Sequence, residues 1–275
     1  ADVERHLGRA IMPHFHAAFS GGTVVSALLG AALSWAGVRI LVHMVAIAVL
    51  VVVVGSWSLR SLLPHDATAA GAAAAHHAGA RTKAPSAWTE PRTLLIGFVV
   101  LVAAFTEGTA NDWLAVAFHE GYDLPTWAGV LAFATFLTFM TVGRLVGTSL
   151  LDRHGRVPVL RISFGLAVVG ALLVIFGGAV LAFVGAAIWG VGAALGFPVG
   201  MSASADDPAR AASRMSVVAT IGYAAFIAGP PLLGFLGDHV GVLKSLLVVG
   251  VGAVLALLMV PSVREPEVAP AFRRP

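Results

Sequence analysis

Long apolar stretches separated by short polar segments dominate this chain. Each stretch has about 20 residues or more, which is the length that a helix needs to cross a bilayer. Lipid offers no hydrogen-bond partners, so a helix that satisfies its own backbone is favoured, and the alternating pattern of a membrane β-barrel is absent. We therefore predict an all-α integral membrane protein with eight transmembrane helices, at about 10–34, 38–62, 93–118, 126–151, 158–178, 180–203, 214–236 and 241–262.

The composition supports this prediction. Hydrophobic residues make up 58% of the 275 positions and charged residues 11%, against roughly 45–50% and about 25% in soluble domains. The pI near 9.9 does not indicate a nucleic-acid partner, because the basic residues lie in the gaps between spans. Cysteine is absent, which excludes disulfides and thiolate metal ligands. No nucleotide-binding, hydrolase or metalloprotease motif occurs, so neither an enzyme nor a cofactor is predicted.

The basic residues also predict the orientation. With a cytoplasmic N-terminus, 14 of the 17 lysines and arginines fall in cytoplasmic segments, as the positive-inside rule requires. Both termini are then cytoplasmic, and we expect a multi-pass protein of the plasma or inner membrane. The chain opens on Ala-Asp-Val-Glu-Arg-His, without an initiator methionine or a signal peptide, and we interpret it as a fragment that begins in a loop.

Residues 64–92 differ from the rest of the chain. They are rich in Ala and Gly, poor in large apolar side chains and too long for a simple turn between helices. We predict a cytoplasmic linker here, with two helices before it in 1–63, six after it in 93–263 and a cytoplasmic tail in 264–275. A pair of adjacent histidines in the linker has no carboxylate partner, and no metal site is predicted.

A charged loop between the fourth and fifth spans carries the strongest motif. Residues 143–156, Gly-Arg-Leu-Val-Gly-Thr-Ser-Leu-Leu-Asp-Arg-His-Gly-Arg, resemble the signature loop of the major facilitator superfamily, Gly-x-Leu-Ala-Asp-Arg-x-Gly-Arg-Arg. Thr148 replaces the first glycine of that pattern, and Val157 replaces its last basic residue. The positions that match in register are Leu150, Asp152, Arg153, Gly155 and Arg156.

The resemblance implies the helical bundle of that superfamily. In the family the loop joins the second and third helices of each six-helix half on the cytoplasmic side, and here it joins the second and third helices after the linker. Residues 93–263 then resemble a complete C-terminal half and 1–63 the end of the N-terminal half, so the chain resembles helices 5 to 12, with helices 1 to 4 missing. Segments 16–21, 107–113 and 229–234 further resemble the bacterial branch similar to fucose-permease-type sugar transporters.

The resemblance also implies a function. It is secondary active transport of a small solute, sugar-like or otherwise polar, by alternating access and with protons as the coupling ion, in symport. The expected partners are the small-molecule substrate, protons and the lipid bilayer, and the expected state is a monomer. Two alternatives stay open: a multidrug or metabolite efflux transporter, and a truncated membrane protein without transport activity, since eight helices lack the facing part of a central cavity.

Polar residues inside the spans are candidates for substrate binding or proton coupling. Glu107 lies near the middle of its span, where an ionised carboxylate costs roughly 2.5–3.5 kcal/mol on the scale measured for Asp. Asn111 shares the Glu107 face, whereas Asp112 is rotated by about 140°. For Glu107, the alternative role is a buried hydrogen bond between helices. For His16, the alternative role is a packing contact between helices. The candidates are Glu107, Asn111, Asp112, Trp113, His16 and Ser20.

The signature loop predicts a gate at the cytoplasmic side. A carboxylate followed by arginines one and four residues later allows a hydrogen-bonded network across neighbouring helix ends. The alternative is that Arg153 and Arg156 only enforce the topology and meet lipid phosphates. Arg144 lies about two turns inside its span and must snorkel or find a partner. The candidate gating residues are Arg144, Asp152, Arg153, Gly155 and Arg156.

Glycines and prolines in the later spans predict packing and bending. Small residues at intervals of four let helix backbones approach closely where hydrophobic force is unavailable. Proline removes a backbone donor and is expected to kink a helix. The close-packing glycines are Gly192, Gly196 and Gly200, and the prolines are Pro198, Pro230 and Pro231.

Overall fold

A computed structural model describes residues 12–59 and 86–266, with side chains at residue 19 and from residue 21 onward. All regular elements within these ranges are helical. Two short 3-10 helices lie at Ala87–Thr89 and Val260–Val263. The α-helices, numbered in chain order, are α1 Met12–Trp35, α2 Ile40–Leu59, α3 Pro91–Tyr122, α4 Thr126–His154, α5 Arg156–Phe176, α6 Gly178–Ala193, α7 Gly196–Ser204, α8 Ala211–Val240, α9 Val242–Ser245 and α10 Leu247–Met259.

The helices agree with the predicted spans to within about one helical turn at each end. Within the described ranges, seven helical segments are long and apolar enough to cross a membrane. The remaining predicted span, 10–34, coincides with α1, whose described apolar part is Gly21–Trp35. The prediction of an all-α membrane protein is therefore confirmed. Most of the predicted linker and of the predicted tail lies outside the described residues.

Helix α3 occupies the centre of the bundle that α3 to α10 form. It packs against α4, α7, α8 and α10, and its Val100, Leu114 and Phe118 have no exposed surface. The helix begins at Pro91, where proline is well tolerated because the first-turn N–H has no helical acceptor. It ends at Tyr122 and is followed by Asp123, whose φ of 53° lies in the left-handed region. Residues on α3 are thus positioned by neighbours on several sides.

Small residues set the spacing of the central helices. A Cβ on Gly192 of α6 would lie 2.7 Å from the carbonyl oxygen of Ser163 on α5. A Cβ on Gly196 of α7 would lie 2.6 Å from Cβ of Ala103 on α3, and one on Gly200 would overlap the side chain of Val100. These glycines therefore permit backbone approaches that any side chain would prevent.

Helices α6 and α7 are two parts of one predicted span, interrupted at Ala194 and Leu195. Pro198 has no N–H to donate to the carbonyl of Ala194 four residues earlier, which weakens the helix at that point. Upstream of the break α6 packs on α4 and α5, whereas α7 packs on α3. In contrast, α8 continues as one helix through Pro230 and Pro231.

The two helices before the linker differ in their packing. Helix α1 packs along α4. No side chain of α2 is buried within the described part of the chain. Residues of α1, α3 and α4 line a partly open cavity, and no residue of α2 lines it.

Candidate functional site

A cavity of about 700 Å³ lies between α1, α3 and α4. Its lining residues on α4 recur every three or four positions and therefore occupy one face of that helix. Small-molecule sites of this volume usually combine apolar walls with a few polar groups, as this cavity does. The lining consists of Phe19, Gly22, Thr23, Ser26 and Ala27 from α1, Glu107 and Asn111 from α3, and Phe133, Leu137, Met140 and Arg144 from α4.

An ion pair lies on the wall of this cavity. Nη2 of Arg144 donates to Oε2 of Glu107 at 3.0 Å. The side chains of Arg144 and Glu107 are 30% and 20% exposed, so both are largely enclosed but still reach the cavity. The sequence predicted that Arg144 must snorkel or find a partner, and Glu107 is the residue that pairs with it. Each charge reduces the cost of holding the other at membrane depth.

The same guanidinium also contacts the break between α6 and α7. Nε of Arg144 donates to the carbonyl oxygen of Ala194 at 3.4 Å. This carbonyl is the one that Pro198 leaves without its regular helical donor. Arg144 thus connects Glu107 on α3 with the interrupted helix, and the proline explains why the acceptor is available.

The other candidates on α3 fall on different sides of the helix. Asn111 lines the cavity with Glu107. Asp112 is exposed and does not line it. Trp113 lies against α8, where its ring is 3.7 Å from the position of a Cβ on Gly234. Its indole nitrogen is buried and has no hydrogen-bond partner within the described residues.

The polar candidates of the first span cannot be placed in the cavity. The backbone of His16 and Ser20 belongs to α1. The side chains of both residues lie outside the described part of the structure. Among the predicted binding residues, the structure therefore brings together Glu107 and Asn111, and adds Arg144 from the predicted gate.

A network of charges lies at one end of the bundle, which we call the basic end. It contains the first turns of α3, α5 and α8 and the chain that follows α10. Asp206, in the connection between α7 and α8, accepts from Nη2 of Arg92 and Nη1 of Arg156, each at 2.8 Å. Arg92 also donates to the backbone carbonyls of Ser262 and Arg264. The Asp206 side chain is only 6% exposed, so one buried carboxylate joins α3 and α5.

Gly155 and Arg156 of the signature loop take part in this network. Gly155 separates α4 from α5 with a φ of 77°, a conformation that favours glycine. The backbone N–H of Arg156 donates to Oε1 of Glu265 at 2.7 Å, and its Nη2 donates to Oγ of Ser202 at 3.2 Å. The turn therefore directs Arg156 towards α7 and the chain after α10.

A second carboxylate joins α3 to α8. Glu90, just before α3, pairs with Arg210 and with Nε of Arg214, the latter at 2.7 Å. The hydroxyl of Thr93 donates to the same carboxylate at 2.8 Å. Burial opposes ionisation of Glu90, but the hydrogen bonds from Arg214 and Thr93 and the charges of Arg214 and Arg210 hold the pKa of Glu90 below its usual range. Glu90 is therefore ionised at neutral pH.

Two charged residues of the signature loop lie outside the network. Asp152 and Arg153 are exposed on the last turn of α4 and form no ion pair with any residue of the described ranges. Sequence reasoning did not single out the carboxylates that hold the basic end together. A usable signal was present, because these acids adjoin span ends on the same predicted side as the arginines. The residues missed are Glu90, Arg92, Asp206 and Glu265.

Known proteins resemble this chain over most of its length. "Uncharacterized transporter y4wD" of Sinorhizobium fredii is 29% identical over 272 residues, covering 96% of this chain and 68% of that protein. An uncharacterized MFS-type transporter of Yersinia pestis is 31% identical over 268 residues, covering 94% of this chain and 63% of that protein. "Membrane protein MosC" of Rhizobium meliloti is 26% identical over 168 residues, covering 60% of this chain and 41% of that protein. The chain thus spans about two thirds of the length of the first two relatives.

The family profile described as Major Facilitator Superfamily matches residues 126–274, more than half of the chain. This range begins with α4 and includes Arg144, the signature loop and Asp206. The membrane-length helices and the helical architecture agree with that match. The chain belongs to the major facilitator superfamily.

Proposed function

We propose that this chain forms the greater part of a secondary active transporter, which moves a small polar solute across the membrane by alternating access. The observation that carries the proposal is the ion pair between Glu107 and Arg144 on the wall of a cavity of about 700 Å³. Membership of the superfamily supports it. In this proposal α1 and α2 correspond to helices 5 and 6 of a twelve-helix protein, and α3 to α10 form its C-terminal half.

The chemistry of the cavity favours a neutral solute rich in hydroxyl groups, such as a sugar. The charges of Glu107 and Arg144 largely cancel, so a charged solute would leave one of them unbalanced. A hydroxyl group can accept from the guanidinium and donate to the carboxylate, and the amide of Asn111 can do both. Phe19 and Phe133 add apolar surface for the C–H groups of the solute. The resemblance to fucose-permease-type transporters supports the same class.

We further propose that Glu107 couples transport to protons. Protonation would remove its negative charge and weaken the hold on Arg144. An unpaired charge at mid-membrane costs roughly 2.5–3.5 kcal/mol on insertion scales. The freed guanidinium would therefore turn to water or to the solute. Because its Nε already donates to the Ala194 carbonyl, this movement would link the state of the cavity to the break between α6 and α7.

The basic end is the proposed gate, and we place it on the cytoplasmic side. Helix α7 leads from the break at Ala194 to Asp206, which binds Arg92 and Arg156. These contacts hold the first turns of α3 and α5 together in the present conformation. Opening on this side would require them to separate, so movement of α7 provides a connection between the cavity and the gate.

The experiment that tests the proposal is transport by the full-length protein in proteoliposomes, comparing wild type with Glu107→Gln. The amide keeps hydrogen bonds but cannot carry a proton. We expect Glu107→Gln to abolish proton-driven accumulation while solute exchange across the membrane continues. Glu120→Gln is the matched control, because Glu120 is an exposed carboxylate near the far end of the same helix. It should retain both activities.

The other outcomes separate the parts of the proposal. If accumulation and exchange fall together, Glu107 binds the solute and does not cycle a proton. If Glu107→Gln accumulates solute as wild type does, Glu107 has no role in the mechanism. Sugars, organic acids and cationic dyes are assayed in parallel, and uptake of sugars supports the proposed class. Export of cationic dyes alone would favour an efflux transporter instead.

A further inference from the structure

An apolar groove of about 290 Å³ lies between α4, α5 and α6, and none of its lining residues belongs to the Glu107 cavity. Residues every four positions along α4 form one wall, and the start of α5 forms the other. Val146 and Ile162 are 53% and 65% exposed, so the groove opens towards the bilayer. The principal wall residues are Val142, Val146, Leu150 and His154 on α4, and Pro158 and Ile162 on α5.

Positively charged residues adjoin the basic end of this groove along the chain. Arg153 precedes the lining residue His154, and Arg161 precedes the lining residue Ile162. Both arginines are exposed, and neither has a hydrogen bond or an ion pair with the described residues. Of the two nearby carboxylates, Glu265 accepts from the backbone N–H of Arg156, and Asp152 is about 200° around α4 from His154, on the other side of the helix. The groove mouth is therefore suited to an anion.

The groove has the dimensions of one membrane leaflet. From Val142 to His154 helix α4 rises by roughly 18 Å at about 1.5 Å per residue. Half of a hydrocarbon core about 30 Å thick is about 15 Å. The apolar wall thus covers the depth of an acyl chain. Arg161 lies in the second turn of α5, from where a long side chain can extend its charge to the headgroup level.

We propose that this groove binds one anionic phospholipid of the leaflet at the basic end. An acyl chain lies along the wall between Val142 and His154, and the phosphate is bound by Arg153, His154 and Arg161. Guanidinium groups form strong charge-assisted hydrogen bonds with phosphate, and basic pockets between transmembrane helices are suited to anionic headgroups. The bound lipid would contact α4, which carries Arg144, and α6, which ends at the break.

The test measures lipid binding to the full-length protein rather than transport, so its result is independent of the proposed function. Dissociation constants for phosphatidylglycerol and phosphatidylcholine are determined by native mass spectrometry of the protein titrated with each lipid. Wild type should bind phosphatidylglycerol more tightly. The double variant Arg153→Gln/Arg161→Gln should weaken phosphatidylglycerol binding about 25-fold, about fivefold for each charge, and leave phosphatidylcholine binding nearly unchanged.

Two matched controls separate a specific site from general attraction. Arg39→Gln/Lys244→Gln removes the same charge at exposed positions away from the groove and should change binding less than about twofold. Val146→Trp fills the groove and should weaken the binding of both lipids. Leu145→Trp adds the same ring one residue away, at a position that is 65% exposed and does not line the groove. It should leave binding unchanged.

Several results would overturn the proposal. Equal affinity of the wild type for the two lipids would show that the headgroup is not recognised. Equal losses in the two double variants would show attraction by net charge alone. Unchanged binding in Val146→Trp would place the acyl chain elsewhere. The arginine variants decide the matter if Val146→Trp does not fold, because both arginines are exposed and unpaired within the described residues.

Discussion

Replacing Asp206 by Asn should weaken the basic end far more than the same replacement at the adjacent Asp207. Asp206 is 6% exposed and accepts from Arg92 and Arg156, each at 2.8 Å. Asp207 is 44% exposed, and its nearest oxygen is 3.5 Å from Nη1 of Arg214. Both replacements keep the size of the side chain and remove one negative charge. They therefore differ in burial and in the number of close ion pairs that are lost, two at Asp206 and one longer pair at Asp207. Without Asp206, Arg156 keeps only a longer contact with Glu265, at 3.9 Å.

The expected magnitude follows from the exposure of each partner. A hydrogen bond to a charged group contributes roughly 1.5–3 kcal/mol. Arg156 is 18% exposed, so most of that contribution applies. Arg92 is 44% exposed and keeps two backbone acceptors, so solvent screening reduces its share to below about 1 kcal/mol. We expect Asp206→Asn to lower the free energy of unfolding by about 2–3 kcal/mol, and Asp207→Asn by less than about 0.5 kcal/mol.

The assay is equilibrium unfolding of the full-length protein in one detergent, followed by circular dichroism, with both variants at the same pH and salt concentration. Equal losses for Asp206→Asn and Asp207→Asn would refute the reasoning, because burial would then make no difference. A more stable Asp206→Asn variant would also refute it. That result would mean that the cost of removing the carboxylate from water exceeds the attraction of the two arginines.

Two further predictions concern packing and pH. Gly192→Ala should destabilise the protein by about 1–3 kcal/mol, because its Cβ would lie 2.7 Å from the Ser163 carbonyl oxygen. The control Gly165→Ala, whose Cβ would have nothing within 4 Å, should be neutral or stabilising. Equal melting temperatures of these two variants would contradict the prediction. Glu90→Gln should lower stability at neutral pH. Because the folded-state pKa of Glu90 is lowered, the carboxylate contributes its full stability above the ordinary carboxyl pKa and loses it as the pH falls through the lowered value. Unfolding measured against pH should therefore show the difference in unfolding free energy between wild type and Glu90→Gln closing at low pH. A difference that stays constant with pH would count against the pairing.

The transmembrane helices could be predicted from the sequence because the bilayer imposes a local rule. Each span must satisfy its own backbone and present apolar side chains, so length and composition identify it without knowledge of its neighbours. The same locality explains the turn between α4 and α5. Gly155 supplies the positive φ, and the charges around it mark a membrane surface. The resemblance of this loop to the family motif needed no tertiary information.

The pairing of Glu107 with Arg144 could not be predicted, although both residues were recognised as unusual. Depth in the membrane follows from position in a span. Which helices are neighbours, and how each is rotated, depends on packing across the whole bundle. The same holds for Ala194: Pro198 predicts a weakened helix, but only the tertiary structure places Nε of Arg144 at 3.4 Å from the freed carbonyl.

The basic end shows the same division between local and long-range information. Sequence position alone puts Asp206, Arg92 and Arg156 beside span ends on the same predicted side. It did not determine that one buried carboxylate would bind both arginines, whereas the exposed Asp152 would bind neither. That choice depends on the close approach of helices at small residues such as Gly196 and Gly200, where steric fit between distant parts of the chain sets the geometry.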